Sequence, residues 1–308
     1  MQSRRAFIRN AALAAGTMMV PDLLYAGADN KKLTILHTND THSRMDPFPM
    51  DGSKYQGLGG VTARSAMISE VRNKAANILL LDAGDIFQGT PYFNYFKGEP
   101  EMKAMELMGY DACTMGNHDF DGGIENFANQ LSNVSFPVVI CNYDFSGTVM
   151  EHKYHPYTII KKGGLKIGIT GVGIELKGLV SDELANGVKY LDPVAQSAYY
   201  AAMLKRKGCD FVICLSHLGF DYKTEPDKIS DIKLAKASSD IDLIIGGHTH
   251  TFLNEPVLLS NKKGNNVLIN QVGWGGIKMG RLDYEFSSAF PNKSPKKAEV
   301  LSIKKMTE

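Results

Sequence analysis

Leu33-Thr34-Ile35-Leu36-His37-Thr38-Asn39-Asp40-Thr41-His42 is the stretch from which the rest of the chain can be read. A short, mostly apolar run with strand character ends on a cluster of side chains that carry oxygen and nitrogen donors. The same pattern returns four times. Residues 78–81 lead into Asp82-Ala83-Gly84-Asp85, and residues 112–115 into Gly116-Asn117-His118-Asp119. Residues 211–215 lead into Ser216-His217, and residues 241–245 into Gly246-Gly247-His248-Thr249-His250. Further runs of this kind fall at 136–141, 166–170 and 267–270, with a last one expected near 300–304. Helical periods lie between several of them. Over 61–76, Met67, Ile68, Val71 and Ala75 share a face. From Asp192-Pro193, a cap and a first-turn proline, another helix runs to a stop at Gly208. Continuous apolar strands alternating with helices predict buried sheets covered by helices, an α/β fold.

In an open α/β sheet the carboxyl ends of the strands share one edge, so these donors converge although 210 positions separate Asp40 from His250. Asp40 and His42, like His248 and His250, are two apart, and in extended chain they leave the same side. A lone histidine in such a loop is more often a surface or core residue than a ligand. Five strand ends that each supply donors form a much more specific pattern. A single structural zinc takes four ligands and would leave the rest without purpose. Two divalent cations about 3.5–4 Å apart, bridged by one carboxylate, use them all. Their charge exceeds that of two carboxylates, so the centre stays positive and attracts a phosphate dianion.

The composition fits an ordinary globular chain: 308 residues, 44% hydrophobic and 22% charged, which excludes collagen, coiled coil and disorder. Thirty-four basic residues against 33 acidic leave a formal charge of +1. Residues 1–28 carry Arg4, Arg5, Arg9 and Asp22, a net +2, so residues 29–308 carry −1. That field is too small for nonspecific nucleic-acid binding. Ser3-Arg4-Arg5-Ala6-Phe7-Ile8 is a twin-arginine pattern, followed by an apolar stretch and by small residues at Ala26 and Ala28. The expectation is a signal peptide over 1–28, one catalytic domain over 29–308, a periplasmic destination and no membrane insertion after cleavage. Cys113, Cys141, Cys209 and Cys214 lack C-x-x-C spacing and lie in apolar runs, so they are expected as buried thiols.

D-x-H, G-D, G-N-H-[DE], a lone H after a strand and G-G-H-x-H together resemble the metallophosphoesterase superfamily. More narrowly, 36–42 and 117–121 resemble the catalytic domain of the 5′-nucleotidase/UDP-sugar hydrolase family, over roughly residues 31–305. The resemblance implies a four-layer α/β/β/α sandwich of two mixed sheets. It implies that Asp40, His42, Asp85 and His250 hold one metal and that Asn117, His217 and His248 complete the other, with Asp85 bridging. It gives the His118–Asp121 pair the task of stabilising the transferring phosphoryl group or protonating the leaving oxygen, alongside attack by a metal-bridging hydroxide. Imidazole and carboxylate ligands without thiolate suit Mn, Fe, Co or Zn. The family also carries a carboxy-terminal domain that grips base and ribose. For this chain the expectation is therefore either a broad phosphohydrolase or one completed by a separately encoded substrate-binding domain. Two alternatives stand beside it: a dimetal hydrolase of a non-nucleotide ester, similar to the thiosulfohydrolases, and a non-catalytic metal-binding subunit.

Overall fold

The computed structural model of the chain describes residues 30–287 and 293–304; the twin-arginine segment lies outside them. In chain order the strands are β1 Lys31–Thr38, β2 Ile78–Asp82, β3 Ala112–Cys113, β4 Tyr143–Asp144, β5 Tyr157–Lys162, β6 Leu165–Gly173 and β7 Lys189–Tyr190. Next come β8 Phe211–His217, β9 Leu243–Gly246, β10 Val257–Ser260, β11 Asn266–Asn270, β12 Lys278–Phe286 and β13 Lys297–Ser302. One sheet has the order β13-β12-β1-β2-β3 and the other β10-β11-β9-β8-β6-β5; β4 and β7 pair separately. Both large sheets are mixed. In the first, β1, β2 and β3 run parallel beside antiparallel β12. In the second, β6, β8, β9 and β11 run parallel, flanked by antiparallel β5 and β10.

Three apolar layers follow from the period-2 alternation of strands that are buried on both faces. On β8, Phe211, Ile213 and Leu215 meet Ile35, Leu79 and Leu282 of the other sheet, while Val212 and Cys214 turn outward. The outer face of the first sheet packs against α1 (Val61–Lys74), α2 (Pro91–Phe96), α3 (Glu99–Met108) and α4 (Ile124–Gln130) through Ile68, Phe93, Met102, Met105 and Phe127. The outer face of the second packs against α5 (Pro193–Arg206) and α6 (Asp231–Ala237) through Ala201, Leu204 and Leu234. The result is helix, sheet, sheet, helix, as the family resemblance implied. Among the described residues no helix is long and apolar enough to cross a membrane, and all four cysteines are buried and free.

Helix α5 starts where the sequence places it. The Asp192 carboxylate accepts hydrogen bonds from the backbone N–H of Val194 at 2.8 Å and of Ala195 at 3.2 Å. Asp192→Ala should therefore cost about 1 kcal/mol, read as a lower denaturant midpoint at constant slope. Residues 136–141, expected as a strand, form only isolated bridges. Their backbone is shared between the two sheets. Val139 N–H donates to Cys113 of the first sheet, Cys141 N–H donates to Gly171 of the second, and Pro137 has no N–H to donate. A segment that alternates between partners builds no ladder.

Candidate metal centre

Strand register brings the donor loops together. Thr38 lies beside Asp82 and Asp82 beside Cys113 at the end of one sheet. Gly173 lies beside His217, and Ser216 beside Gly246, at the end of the other. Past these ends the chain turns sharply. Asp40, His42, Asp85, His248 and His250 have φ of 51°, 49°, 54°, 73° and 52°. Left-handed backbone at a non-glycine residue costs on the order of 1–3 kcal/mol and persists only where the surroundings enforce it. Here the loops enforce it on each other. Asp40 N–H donates to Gly84 O, His42 N–H to Asp85 O and Ser43 N–H to Ile86 O, while Gly275 N–H donates to Asp40 O at 2.6 Å. His248 N–H donates to both oxygens of the Asp40 carboxylate. The expectation that Asp40 and His42 act from extended chain is thereby corrected, because a left-handed turn aims them. His248 and His250, equally spaced, fall into different donor groups.

Those groups are Asp40, His42, Asp85 and His250, and Asp85, His217 and His248; within each, donor atoms lie within 4.8 Å of one another. Asp85 belongs to both. Asn117 joins the second group through Oδ1, 2.8 Å from His248 Nδ1. The structure thus brings all seven sequence-nominated side chains to one place. Asp40, Asp85 and His217 are almost wholly buried, whereas the His250 side chain is 39% exposed, so the centre opens on that flank.

Tautomers follow from the carbonyls nearby. His217 Nδ1 lies 2.7 Å from Ala83 O and His42 Nδ1 lies 3.3 Å from Phe87 O. A carbonyl only accepts, so each Nδ1 carries the hydrogen and each Nε2 presents a lone pair. The His217 Nε2 lone pair is buried, without a hydrogen bond, 3.1 Å from Asp85 Oδ2 and 3.9 Å from Asp40 Oδ1. His42 Nε2 lies 3.0 Å from His250 Nε2. Lone pairs and carboxylate oxygens crowded together in this way fit divalent cations. With protons alone, burial works against a charged His217, yet Asp85 and Asp40 outweigh it and hold that imidazole up to about 10. Burial likewise opposes an ionised Asp85, but His217 and His42 keep its carboxyl well below the usual range. Chelator-stripped protein should melt lower than protein resupplied with cation. A bound ion at a hundredfold excess over Kd contributes about 2.7 kcal/mol, on the order of 4–5 °C for a chain this size. Equal melting temperatures with and without cation would count against the site.

One support escaped the sequence reading. The Asp119 carboxylate accepts hydrogen bonds from the backbone N–H of Asp85, Ile86, Phe87 and Gly116 at 2.8–3.1 Å, clamping the loop that carries Asp85. Its position in Gly-Asn-His-Asp was visible; its backbone clients were not. Gly116 is needed because a Cβ there would stand 2.1 Å from Asp85 Oδ1 and 2.6 Å from His217 Cε1. Gly116→Ala should therefore lose metal stoichiometry outright while destabilising the fold by about 1–3 kcal/mol. Elemental analysis of the purified variant tests this, and full metal content would contradict it.

His118 Nδ1 lies 2.8 Å from Asp121 Oδ2, and the His118 ring stands 5.3 Å from that of His42. The hydrogen bond that His118 Nδ1–H donates to Asp121 raises the His118 pKa, with burial opposing and Asp85 assisting. Asp82 both caps its turn, accepting from Gly84 N–H, and accepts from the Thr38 hydroxyl. Burial pushes its carboxyl up to about 7. Gly89 and Thr90 pack against the His42–Ser43 loop, and His152 and His155 are exposed, away from the centre.

Residues 33–252 match the calcineurin-like phosphoesterase model. The chain belongs to that family. It is 32% identical to a snake venom 5′-nucleotidase of Gloydius brevicauda, over 89% of this chain and 48% of that protein. It is 33% identical to a 5′-nucleotidase of Rattus norvegicus, over 85% and 48% respectively. Among solved structures, a 5′-nucleotidase precursor from Thermus thermophilus superposes with a TM-score of 0.79 at 32% identity. That match covers 89% of this chain and 55% of the other. The chain spans about half the length of the curated relatives it matches.

Proposed function

We propose that this chain is a metal-dependent phosphoric ester hydrolase whose substrates are 5′-nucleotides or related nucleotide esters. The observation that carries the reading is the pair of donor groups sharing Asp85, with the hydrogen-bonded His118–Asp121 pair beside them. Asp40, His42, Asp85 and His250 would hold one ion, and Asp85, Asn117, His217 and His248 the other. Two bound divalent cations supply Lewis-acid polarisation of a phosphoryl oxygen and acidify water to a nucleophile at neutral pH. The chain's own groups do the rest. Backbone bonds fix the ligand loops, carbonyl acceptors fix the His42 and His217 tautomers, and Asp121 fixes His118 so that its Nε2 is free to meet a phosphoryl or leaving oxygen.

The nucleotide preference is supported by the 5′-nucleotidases of similar sequence. The donor set, without thiolate, suits Mn, Fe, Co or Zn. The twin-arginine leader supports a route in which the protein folds and takes up metal before export to the periplasm, which favours manganese or iron. Elemental analysis of protein from its native compartment that returned only zinc would exclude that preference. The hydrolase itself is tested by phosphate release from AMP, UDP-glucose and an aryl phosphate by the purified chain. Turnover should vanish on chelation and return with Mn²⁺. A chain that binds two equivalents of metal yet releases phosphate from none of the three would overturn the reading, or would require a partner chain to complete it.

A further inference from the structure

The glycine-rich run Gln271-Val272-Gly273-Trp274-Gly275-Gly276 supplies no donor to either ion group, yet its first residue holds the loop that supplies two. Gln271 follows β11 directly and is wholly buried. Its Nε2 donates to Gly247 O, and its Oε1 accepts from Thr251 N–H and, at 3.1 Å, from the Thr249 hydroxyl. The orientation of the amide is forced, because Gly247 O can only accept and Thr251 N–H can only donate. One side chain therefore grips the turn Gly247-His248-Thr249-His250-Thr251 at its start, middle and end. The backbone around it continues the grip, with Leu253 N–H donating to Gln271 O and Gly273 N–H to Thr251 O. The same segment reaches the first sheet. Val272 N–H donates to Asn39 Oδ1 at 3.0 Å, and Asn39 Nδ2 donates to Gly273 O and to Asp40 Oδ2, each at 2.6 Å.

The two histidines of the gripped turn belong to different ion groups, His250 with Asp40 and His42, His248 with Asp85 and His217. Both stand at positive φ, 73° for His248 and 52° for His250, a backbone that persists only where its surroundings enforce it. We propose that Gln271 is a positioning residue for the dinuclear centre. Its amide fixes the place of His248 relative to His250, and with it the spacing at which two ions share Asp85. The inference rests on the phosphohydrolase reading and deepens it. The turn calls for a side chain that donates at one end and accepts at the other in a dry site. Glutamate would set a second oxygen against Gly247 O, and methionine would leave Thr251 N–H buried without this acceptor. Neither change touches a donor atom, so an effect on the ions has to pass through the turn.

Electron paramagnetic resonance with Mn²⁺ as the only added ion reads that spacing without turnover. Two Mn²⁺ ions that share a carboxylate couple magnetically and give a multiline signal, whereas separated ions give their single-ion spectrum. The chelator-stripped chain, reloaded with two equivalents and freed of unbound ion, should show the coupled signal. Gln271→Met, close to the parent in length and volume, should lose most of it and bind its weaker ion about 10–100-fold less tightly. Its kcat for AMP should fall about 10²-fold, the loss expected of a displacement of about 1 Å. Leu204→Ala, a truncation in the buried face of α5 away from the turn, controls for lost stability and should keep the coupled signal. If Gln271→Met does not fold, Thr249→Val carries the test, since it removes one of the three side-chain bonds to Gln271 and should give a smaller drop in the same signal. A variant of the turn with the coupled signal and kcat of the parent would overturn the positioning role and leave the hydrolase standing. Equal loss of the signal in Leu204→Ala would overturn it too, and a parent chain without any coupled signal would overturn both that role and the shared carboxylate. A coupled signal abolished in Gln271→Met, in a parent that releases no phosphate, would keep the positioning role and overturn the hydrolase.

Discussion

Asp85→Asn is expected to empty both ion sites and to lower kcat/KM by on the order of 10⁴, the largest loss from any conservative change in this chain. Asp85 is the one carboxylate common to both donor groups, and it is almost wholly buried. The variant keeps the shape. Its Oδ1 can still accept from His118 N–H, as Asp85 does at 2.8 Å, and the Asp119 clamp on the loop acts through backbone. What would go is the negative charge of the one carboxylate shared by both donor groups, and with it several kcal/mol of charge stabilisation that two bound ions would supply in the transition state. Asp40→Asn offers the contrast, because Asp40 belongs to one group and its replacement should empty one site and weaken the other. Elemental analysis and phosphate release measured together decide the matter. Two retained equivalents with near-native turnover in Asp85→Asn would mean that Asp85 is no bridge and that the donor groups serve something else.

The donors could be read from sequence because each sits at or shortly past the end of a strand, so the signal is local: an apolar run, then Asp, Asn or His. The α/β class was legible for the same reason. Layer order was not, because β12 and β13 return from the end of the chain to pair beside β1, a join that no local pattern encodes. It came from the family resemblance. Period-2 reasoning also misjudged residues 136–141, whose backbone divides its hydrogen bonds between two sheets. It misjudged the spacing of His248 and His250 too, since a positive φ at each sends neighbours two apart to different groups. Support through backbone N–H groups, such as the Asp119 clamp, leaves no trace in side-chain identity beyond the acid itself.

His118→Asn should leave metal content unchanged and lower kcat by about 10²–10⁴. The separation of the two effects is the argument. His118 lies outside both donor groups, and its Nδ1 is engaged by Asp121 at 2.8 Å, so its Nε2 is not among the donors that would hold an ion. If that nitrogen protonates the leaving oxygen, the loss should follow the leaving group. An alkoxide such as the ribose O5′ of AMP needs the proton, whereas the phenolate of an activated aryl phosphate leaves without it. The deficit should therefore be large for AMP and shrink toward about tenfold for the aryl ester. The sign of the pH effect follows from the same bond. Asp121 raises the His118 pKa, so the proton persists to higher pH and activity falls only as pH rises through that value. Asp121→Asn should move the basic limb of the profile to lower pH, and His118→Asn should remove it. An equal deficit for both esters with the limb intact would instead make His118 a fixed donor to the phosphoryl oxygens, stabilising charge without transferring its proton.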